Sequence, residues 1–283
     1  MEIFDPKSLQ QLYKPASDSN GEDNGQITII GGSHLFHGAP LLSLKAASRV
    51  VDMVFFTSPE PSIGDVASAL KSQLSSFIWV PVEEVEHYIN KSDAVLIGPG
   101  FMRFKSENVD HGLRDKECDE ACQQSKRLTE ELLQQFPDKK WVIDAGSLQT
   151  MDPGLIPKNA VLTPNTKEFT HLFGDNITPW EAAKKYECTV VLKGKITKVC
   201  SPTQCVEVHG GNAGLTKGGT GDVQAGLTAA LLAKNEPFLA ASVASYLVKK
   251  AADQLFEKMG TMYNADDLAS QIPIVFSAST AVK

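Results

Sequence analysis

Residues Gly214 to Asp222 read Gly-Leu-Thr-Lys-Gly-Gly-Thr-Gly-Asp, four glycines within eight residues closed by a carboxylate, and an apolar helical pattern runs from Val223 to Lys234. Glycines at this density let several backbone N–H groups turn toward one small space. The start of a helix adds the positive end of its dipole, and the combination holds phosphate. The amides of Gly218, Gly219, Thr220 and Gly221 are the candidate donors. Asp222 is then out of place, because an anion beside it repels its charge. The position makes sense if Asp222 is a general base that takes a proton from a hydroxyl as a phosphoryl group arrives, while Gly219 and Gly221 hold the charge on the group in transit. A helix cap on a tight turn is the competing reading of this loop taken alone.

The loop has company. Lys193-Gly194-Lys195-Ile196-Thr197 puts two ammonium groups, a glycine and a hydroxyl within five residues at the turn of a hairpin, which suits nucleotide phosphates and equally suits a solvated turn. Four further turns each follow an apolar run: Gly31-Gly32-Ser33-His34-Leu35-Phe36-His37-Gly38-Ala39-Pro40, Gly98-Pro99-Gly100, Asp144-Ala145-Gly146 and Thr163-Pro164-Asn165-Thr166-Lys167-Glu168. Asp144 is a second carboxylate for the cleft, either orienting a substrate or magnesium-bound water or capping its turn. Asn165 and Glu168 have the spacing of an N-cap and its capping-box partner. His34 and His37 lack the context of metal ligands and read as loop or cleft residues.

Such groups need a scaffold that brings strand ends together. The runs Gln26 to Ile30, Met53 to Thr57, Ala94 to Ile97, Trp141 to Ile143 and Ala160 to Leu162 read as strands buried on both faces. Between most of them lie helical patterns, Ala39 to Val51, Asp65 to Leu74 and Asp119 to Phe136. This alternation predicts right-handed crossovers and a mostly parallel sheet with helices on both sides. Val190 to Lys193, Thr197 to Cys200 and Val206 to His209 are too close for helices between them and predict an antiparallel edge. Two helices, Val223 to Lys234 and Phe238 to Met259, are expected to close the chain, with irregular stretches at the N-terminal arm (residues 1–25) and around Phe101 to Arg114. In an open parallel sheet, ligands sit beyond the C-terminal strand ends, so these turns are expected to share one cleft.

At 283 residues and 42% hydrophobic content the chain can bury one large core, and residues 26–283 read as one domain. A net charge of −7 argues against a nucleic-acid or anionic-membrane surface and for a small-molecule partner. No run is long enough to span a membrane, and Met1 to Gln26 holds no signal-peptide core, so a cytoplasmic location is expected. Of the five cysteines, Cys118 and Cys122 with His111 nearby make three potential ligands without a fourth. No metal site is expected there, and free thiols are. Cys200 and Cys205 face each other across a hairpin and are expected to stay unpaired in a reducing compartment.

Read together and in order, IGPG at 97–100, VIDAGSL at 142–148, LTPNTKEF at 162–169, VVLKGKIT at 190–197 and GNAGLTKGGTGDVQAG at 211–226 resemble the ADP/ATP-dependent NAD(P)H-hydrate dehydratases of the ribokinase-like superfamily. The resemblance implies a ribokinase-like three-layer α/β/α sandwich and ADP or ATP as phosphoryl donor with Mg2+. It implies NADH or NADPH hydrate as substrate, and a homo-oligomer, a tetramer. It also implies a nucleotide site at Lys193, Gly194, Lys195, Ile196, Thr197 and Gly221, and hydrate-binding positions at Ala39, Gly100, Asn165 and Asp222. The chain departs from the family pattern on the substrate side. Asn165-Thr166-Lys167 stands where a histidine, a proline and a glycine are usual, Phe36 stands for a tyrosine, and Asp23 to Gln26 replaces a lysine-glycine pair. Asn165 with Glu168 looks more like the small-molecule kinases of the superfamily. A vitamin-alcohol kinase and a nucleotide-binding module without chemistry therefore stand as alternatives.

Overall fold

Strand β2 (Gln26–Ile30) is buried at all five positions, and its pleat divides the molecule: Ile27 and Ile29 point into one core, Ile30 into another. Ala94 and Leu96 against Val95 and Ile97 in β5 (Ala94–Ile97) repeat the pattern, and a strand covered on both faces has no polar side to spare. In the computed structural model, which describes residues 1–103 and 120–280, ten strands form one sheet. The others are β1 (Glu2–Ile3), β3 (Met53–Thr57), β4 (Ile78–Trp79), β6 (Lys140–Ile143), β7 (Val161–Leu162), β8 (Thr189–Leu192), β9 (Thr197–Cys200) and β10 (Cys205–Val208). Their spatial order is β1-β10-β9-β8-β7-β6-β5-β2-β3-β4. Every pairing from β4 through to β8 is parallel. Then β8, β9 and β10 run antiparallel, the edge expected from their short connections.

Helices α1 (Gly38–Ala47), α2 (Ser62–Leu70), α8 (Thr220–Lys234), α9 (Pro237–Met259) and α10 (Ala265–Thr280) cover one face. Helices α3 (Val85–Lys91), α4 (Glu120–Gln135), α5 (Ala145–Thr150), α6 (Thr166–Phe173) and α7 (Pro179–Tyr186) cover the other. The result is a three-layer α/β/α sandwich, as expected. Twelve of the fifteen residues of α8 are buried, so this helix is central rather than amphipathic. Among the described residues, no helix is long and apolar enough to cross a membrane.

Four expectations need correcting. The N-terminal arm is not a loose polar tail: Glu2 and Ile3 pair in parallel with β10, and Phe4, Leu9 and Leu12 enter the main core. A third helix, α10, follows the two expected at the C-terminus. Cys200 and Cys205 are joined in a disulfide across the β9–β10 hairpin, where direct cross-strand opposition brings the two side chains together. Cys122 is disulfide-bonded too, not a free thiol; Cys118, His111 and most of the Phe101 to Arg114 stretch lie outside the described residues.

Candidate active site

Three of the predicted turns interlock beyond the strand ends. The amide of Gly32 donates to Pro99 O at 2.8 Å, and that of Gly146 to Gly98 O at 3.3 Å. Gly98 and Gly100 have φ of 115° and 75°, and side chains there would collide with Asp144 O at 2.0 Å and Phe36 O at 2.6 Å. The turns after β2, β5 and β6 are thus packed backbone on backbone, which only glycine permits. Ala39 lies in the first turn of α1 beside them, and Gly100 touches Phe36 and Pro40 of the same segment. Arg103 stacks over the Phe36 ring at 5.6 Å. His37 precedes α1, and its Nε2 is buried without a hydrogen-bond partner among the described residues.

The fourth turn joins through β8. Lys193 N donates to Pro164 O at 2.8 Å and Lys193 bridges Asn165 in parallel register. Asn165 caps α6 by accepting from Glu168 N at 3.0 Å, and Glu168 Oε2 accepts from Asn165 N at 2.8 Å, completing the predicted capping box. The exposed Asn165 side-chain NH2 has no hydrogen-bond partner among the described residues.

At the centre stands Lys193. Its Nζ donates to Asp144 Oδ1 at 2.9 Å, and that oxygen also accepts from Thr163 Oγ1 at 2.7 Å. Asp144 is 1% exposed, so its carboxylate is spent on the lysine and the threonine instead of facing open cleft. The ammonium lies 3.3 Å from where a Cβ on Gly221 would be, which places it against the first turn of α8. Burial alone would lower the Lys193 pKa, but the carboxylates of Asp144, Glu168 and Asp222 around it hold it above its ordinary value. Burial, reinforced by the Asp144 charge, pushes Asp222 up to about 7 against the pull of Lys193. Glu168 is raised as well, chiefly by burial. One ammonium thus faces three carboxylates, and that of Asp222 is carried to about 7, where a carboxyl exchanges protons near neutrality.

The glycine loop is held from outside the cleft. Gly219 begins α8 with φ of 90°, where a side chain would meet Leu42 Cδ1 at 2.3 Å; a Cβ on Gly218 or Gly174 would meet nothing. Thr220 Oγ1 donates back to Leu215 O and Lys217 O, at 2.8 and 2.9 Å, so its hydroxyl shapes the loop. Gly214 packs on the Tyr263 ring, whose hydroxyl donates to Asn212 Oδ1 at 2.8 Å. Ser43 Oγ of α1 donates to Asp222 O at 2.8 Å, and Gly226 lets the helices touch there, since a Cβ would lie 2.2 Å from Ser43 O. On the other side, Gly194, Lys195 and Ile196 form the exposed tip of the β8–β9 hairpin and Thr197 is buried as its first β9 residue.

The geometry brings Lys193, Asp144, Asn165, Glu168, Gly221 and Asp222 together and sets Ala39 and Gly100 in the neighbouring interlocked turns. Ser43, Lys249 and Tyr263 carry supporting roles that local sequence did not signal. Among the described residues no three His, Cys, Asp or Glu side chains converge as a metal cage.

The model of the NAD(P)H-hydrate dehydratase family matches residues 27–274. The chain belongs to that family. A bifunctional NAD(P)H-hydrate repair enzyme of Methanocaldococcus jannaschii is 34% identical over 94% of this chain and 51% of its own length. An ADP-dependent (S)-NAD(P)H-hydrate dehydratase of Nitrosopumilus maritimus is 29% identical over 92% of this chain and 91% of that one. The chain thus spans about half the length of the bifunctional relative and nearly all of the single-function dehydratase. The solved ADP/ATP-dependent NAD(P)H-hydrate dehydratase of Bacillus subtilis, co-crystallised with ATP and Mg2+, superposes with a TM-score of 0.78 over 98% of both chains at 22% identity. The dehydratase fold is therefore the ribokinase-like sandwich described above.

Proposed function

We propose that this chain repairs hydrated nicotinamide cofactor: an adenine nucleotide, ADP or ATP, phosphorylates the ring hydroxyl of (S)-NAD(P)H hydrate, and loss of phosphate regenerates NADH or NADPH. The observation that carries this reading is Asp222, a carboxyl raised to about 7, at the end of the glycine loop and beside the lysine that leads the nucleotide hairpin. Asp222 takes the hydroxyl proton as the phosphoryl group transfers. The amides of Gly218 to Gly221 and the Lys193 ammonium hold the negative charge in transit, and Asp144 fixes the ammonium in place. Elimination then needs no redox partner. A magnesium ion would be carried mainly by the nucleotide phosphates, with Asp222 the carboxyl that would reach it through water, since Asp144 is already engaged by Lys193 and Thr163. When bound, the ion neutralises phosphate charge.

The substrate stands between the Ala39 and Gly100 turns on one side and Asn165 on the other. The feature that favours a vitamin-alcohol kinase, Asn165 with Glu168, is fully accounted for as a capping box. Incubation of the protein with NADH hydrate, magnesium and ADP is expected to restore NADH absorbance with one AMP and one phosphate per NADH. Absence of recovery with both ADP and ATP defeats the proposal.

A further inference from the structure

Lys249 is a charged residue in the middle of α9, only 4% exposed. Its ammonium donates to three backbone carbonyls, Gly194 O at 3.1 Å, Lys195 O at 2.9 Å and Gly210 O at 3.0 Å, and it forms no ion pair among the described residues. Gly194 and Lys195 are the tip of the β8–β9 hairpin; Gly210 starts the loop that runs on to Asp222. One buried cation therefore ties together two segments that approach the cleft from different strands.

The consequence for the backbone follows from peptide geometry. In a trans peptide the carbonyl and the next N–H point in opposite directions, and this chain has no cis bonds among its described residues. Each carbonyl drawn to Lys249 turns one N–H away from it: those of Lys195, Ile196 and Gly211. None of these three donates a hydrogen bond within the described residues. Gly210 and Gly211 have φ of 99° and 76°, and a Cβ on Gly211 would lie 3.2 Å from Lys249 Cγ, so the loop rests directly on the lysine stem. The ammonium also polarises the three peptides it grips, strengthening their outward donors.

We propose that Lys249 is a positioning residue for the nucleotide: it buckles the hairpin tip to the Gly210 loop so that the amides of Lys195, Ile196 and Gly211 form a preset cradle for nucleotide phosphate. This inference rests on the reading of the hairpin as a nucleotide site. Its energetic content is preorganisation, because a tip already held in place has less freedom to lose on binding. Burial lowers the Lys249 pKa, the Asp253 charge opposing this, as expected for a cation satisfied by neutral carbonyls.

The test is calorimetric titration of the whole protein with magnesium and ADP, together with steady-state kinetics and hydrogen exchange. Lys249→Met keeps the stem and removes the charge. It is expected to weaken ADP binding by roughly tenfold to a hundredfold, the range for lost charge-assisted hydrogen bonds. KM for ADP is expected to rise while kcat at saturating ADP holds, and amides at 194–196 and 210–211 to exchange faster. A merely structural lysine would lower the melting temperature without splitting KM from kcat. Unchanged ADP affinity in a folded Lys249→Met protein overturns the proposal. Should that variant not fold, Lys249→Gln, which keeps an N–H donor, decides by the same measurements. Wild-type protein that takes up neither ADP nor ATP refutes the nucleotide reading itself, a result seen before any variant is made.

Discussion

Lys193 Nζ and Asp144 Oδ1 lie 2.9 Å apart, in a pair whose carboxylate is almost wholly buried. Forty-nine residues separate the two in sequence, so the pair belongs to the fold and not to a motif. Removing one member strands the other. Lys193→Met is expected to abolish turnover and to destabilise the fold by about 3–5 kcal/mol, the cost of an uncompensated buried charge. Adding Asp144→Asn should restore much of the stability, seen in denaturant melts, without restoring activity.

Asp222 gives a pH signature. A carboxyl whose pKa is about 7 is a base only above that pH, so kcat/KM is expected to rise through pH 7 and level off beyond it. Asp222→Asn should lower turnover by a few orders of magnitude and leave ADP affinity close to wild type. Turnover unchanged by the substitution would remove Asp222 from the chemistry.

The same group sets the sign of a stability effect. Its folded pKa is raised, so between the ordinary carboxylate range and pH 7 the folded state binds more protons than the unfolded state, and stability falls as pH rises. Asp222→Asn is therefore expected to raise the melting temperature at pH 8 and leave it nearly unchanged at pH 4. Each kcal/mol recovered is worth roughly 2–4 °C in a protein of this size.

Two glycines of α8 and its loop separate function from fold. A Cβ on Gly218 meets nothing within 4 Å, so Gly218→Ala should melt like wild type; a weaker ADP affinity would then report close approach of phosphate to that backbone. Gly226→Ala drives a methyl into Ser43 O and is expected to cost about 2–4 kcal/mol in melts.

The Cys200–Cys205 disulfide closes a loop of few residues and so constrains the unfolded chain only modestly. The double variant Cys200→Ser with Cys205→Ser is expected to lose about 2 kcal/mol in denaturant melts. No loss at all would mean that the bond adds nothing to the stability of the β9–β10 hairpin.

The sequence carried the sheet because β3, β5 and β6 are apolar at nearly every position and β2 at three of its five, a signal that survives without context. It carried the glycine loop and the turn after β5 for a similar reason, since Gly219 and Gly100 occupy backbone that other residues resist. What it concealed depends on distant partners. β1 and β4 have two residues each and are strands only because an edge awaits them. Helix α10 contains Pro273, which locally argues against a helix. A reducing compartment argues for free thiols at Cys200 and Cys205, whereas the hairpin pairs them by opposition across the strands. A helical lysine usually belongs to the surface, so local sequence hides Lys249; only its spacing from Ser242, Ser245 and Ala252 on the buried face of α9 signals its burial.

Because Gly226 lets α8 press on the backbone of α1 at Ser43, and Ser43 in turn holds the carbonyl of Asp222, the two helices are a single strut. The Ala39 turn and Asp222 meet at the same end of that strut, since Ser43 Oγ reaches both Ala39 O at 3.4 Å and Asp222 O at 2.8 Å. The spacing between them is pinned by one hydroxyl, so neither backbone can shift without carrying the other with it. Under the proposed function, a hydroxyl presented to Asp222 meets a rigid wall on this side, while the exposed hairpin tip across from it is the part left free to adjust.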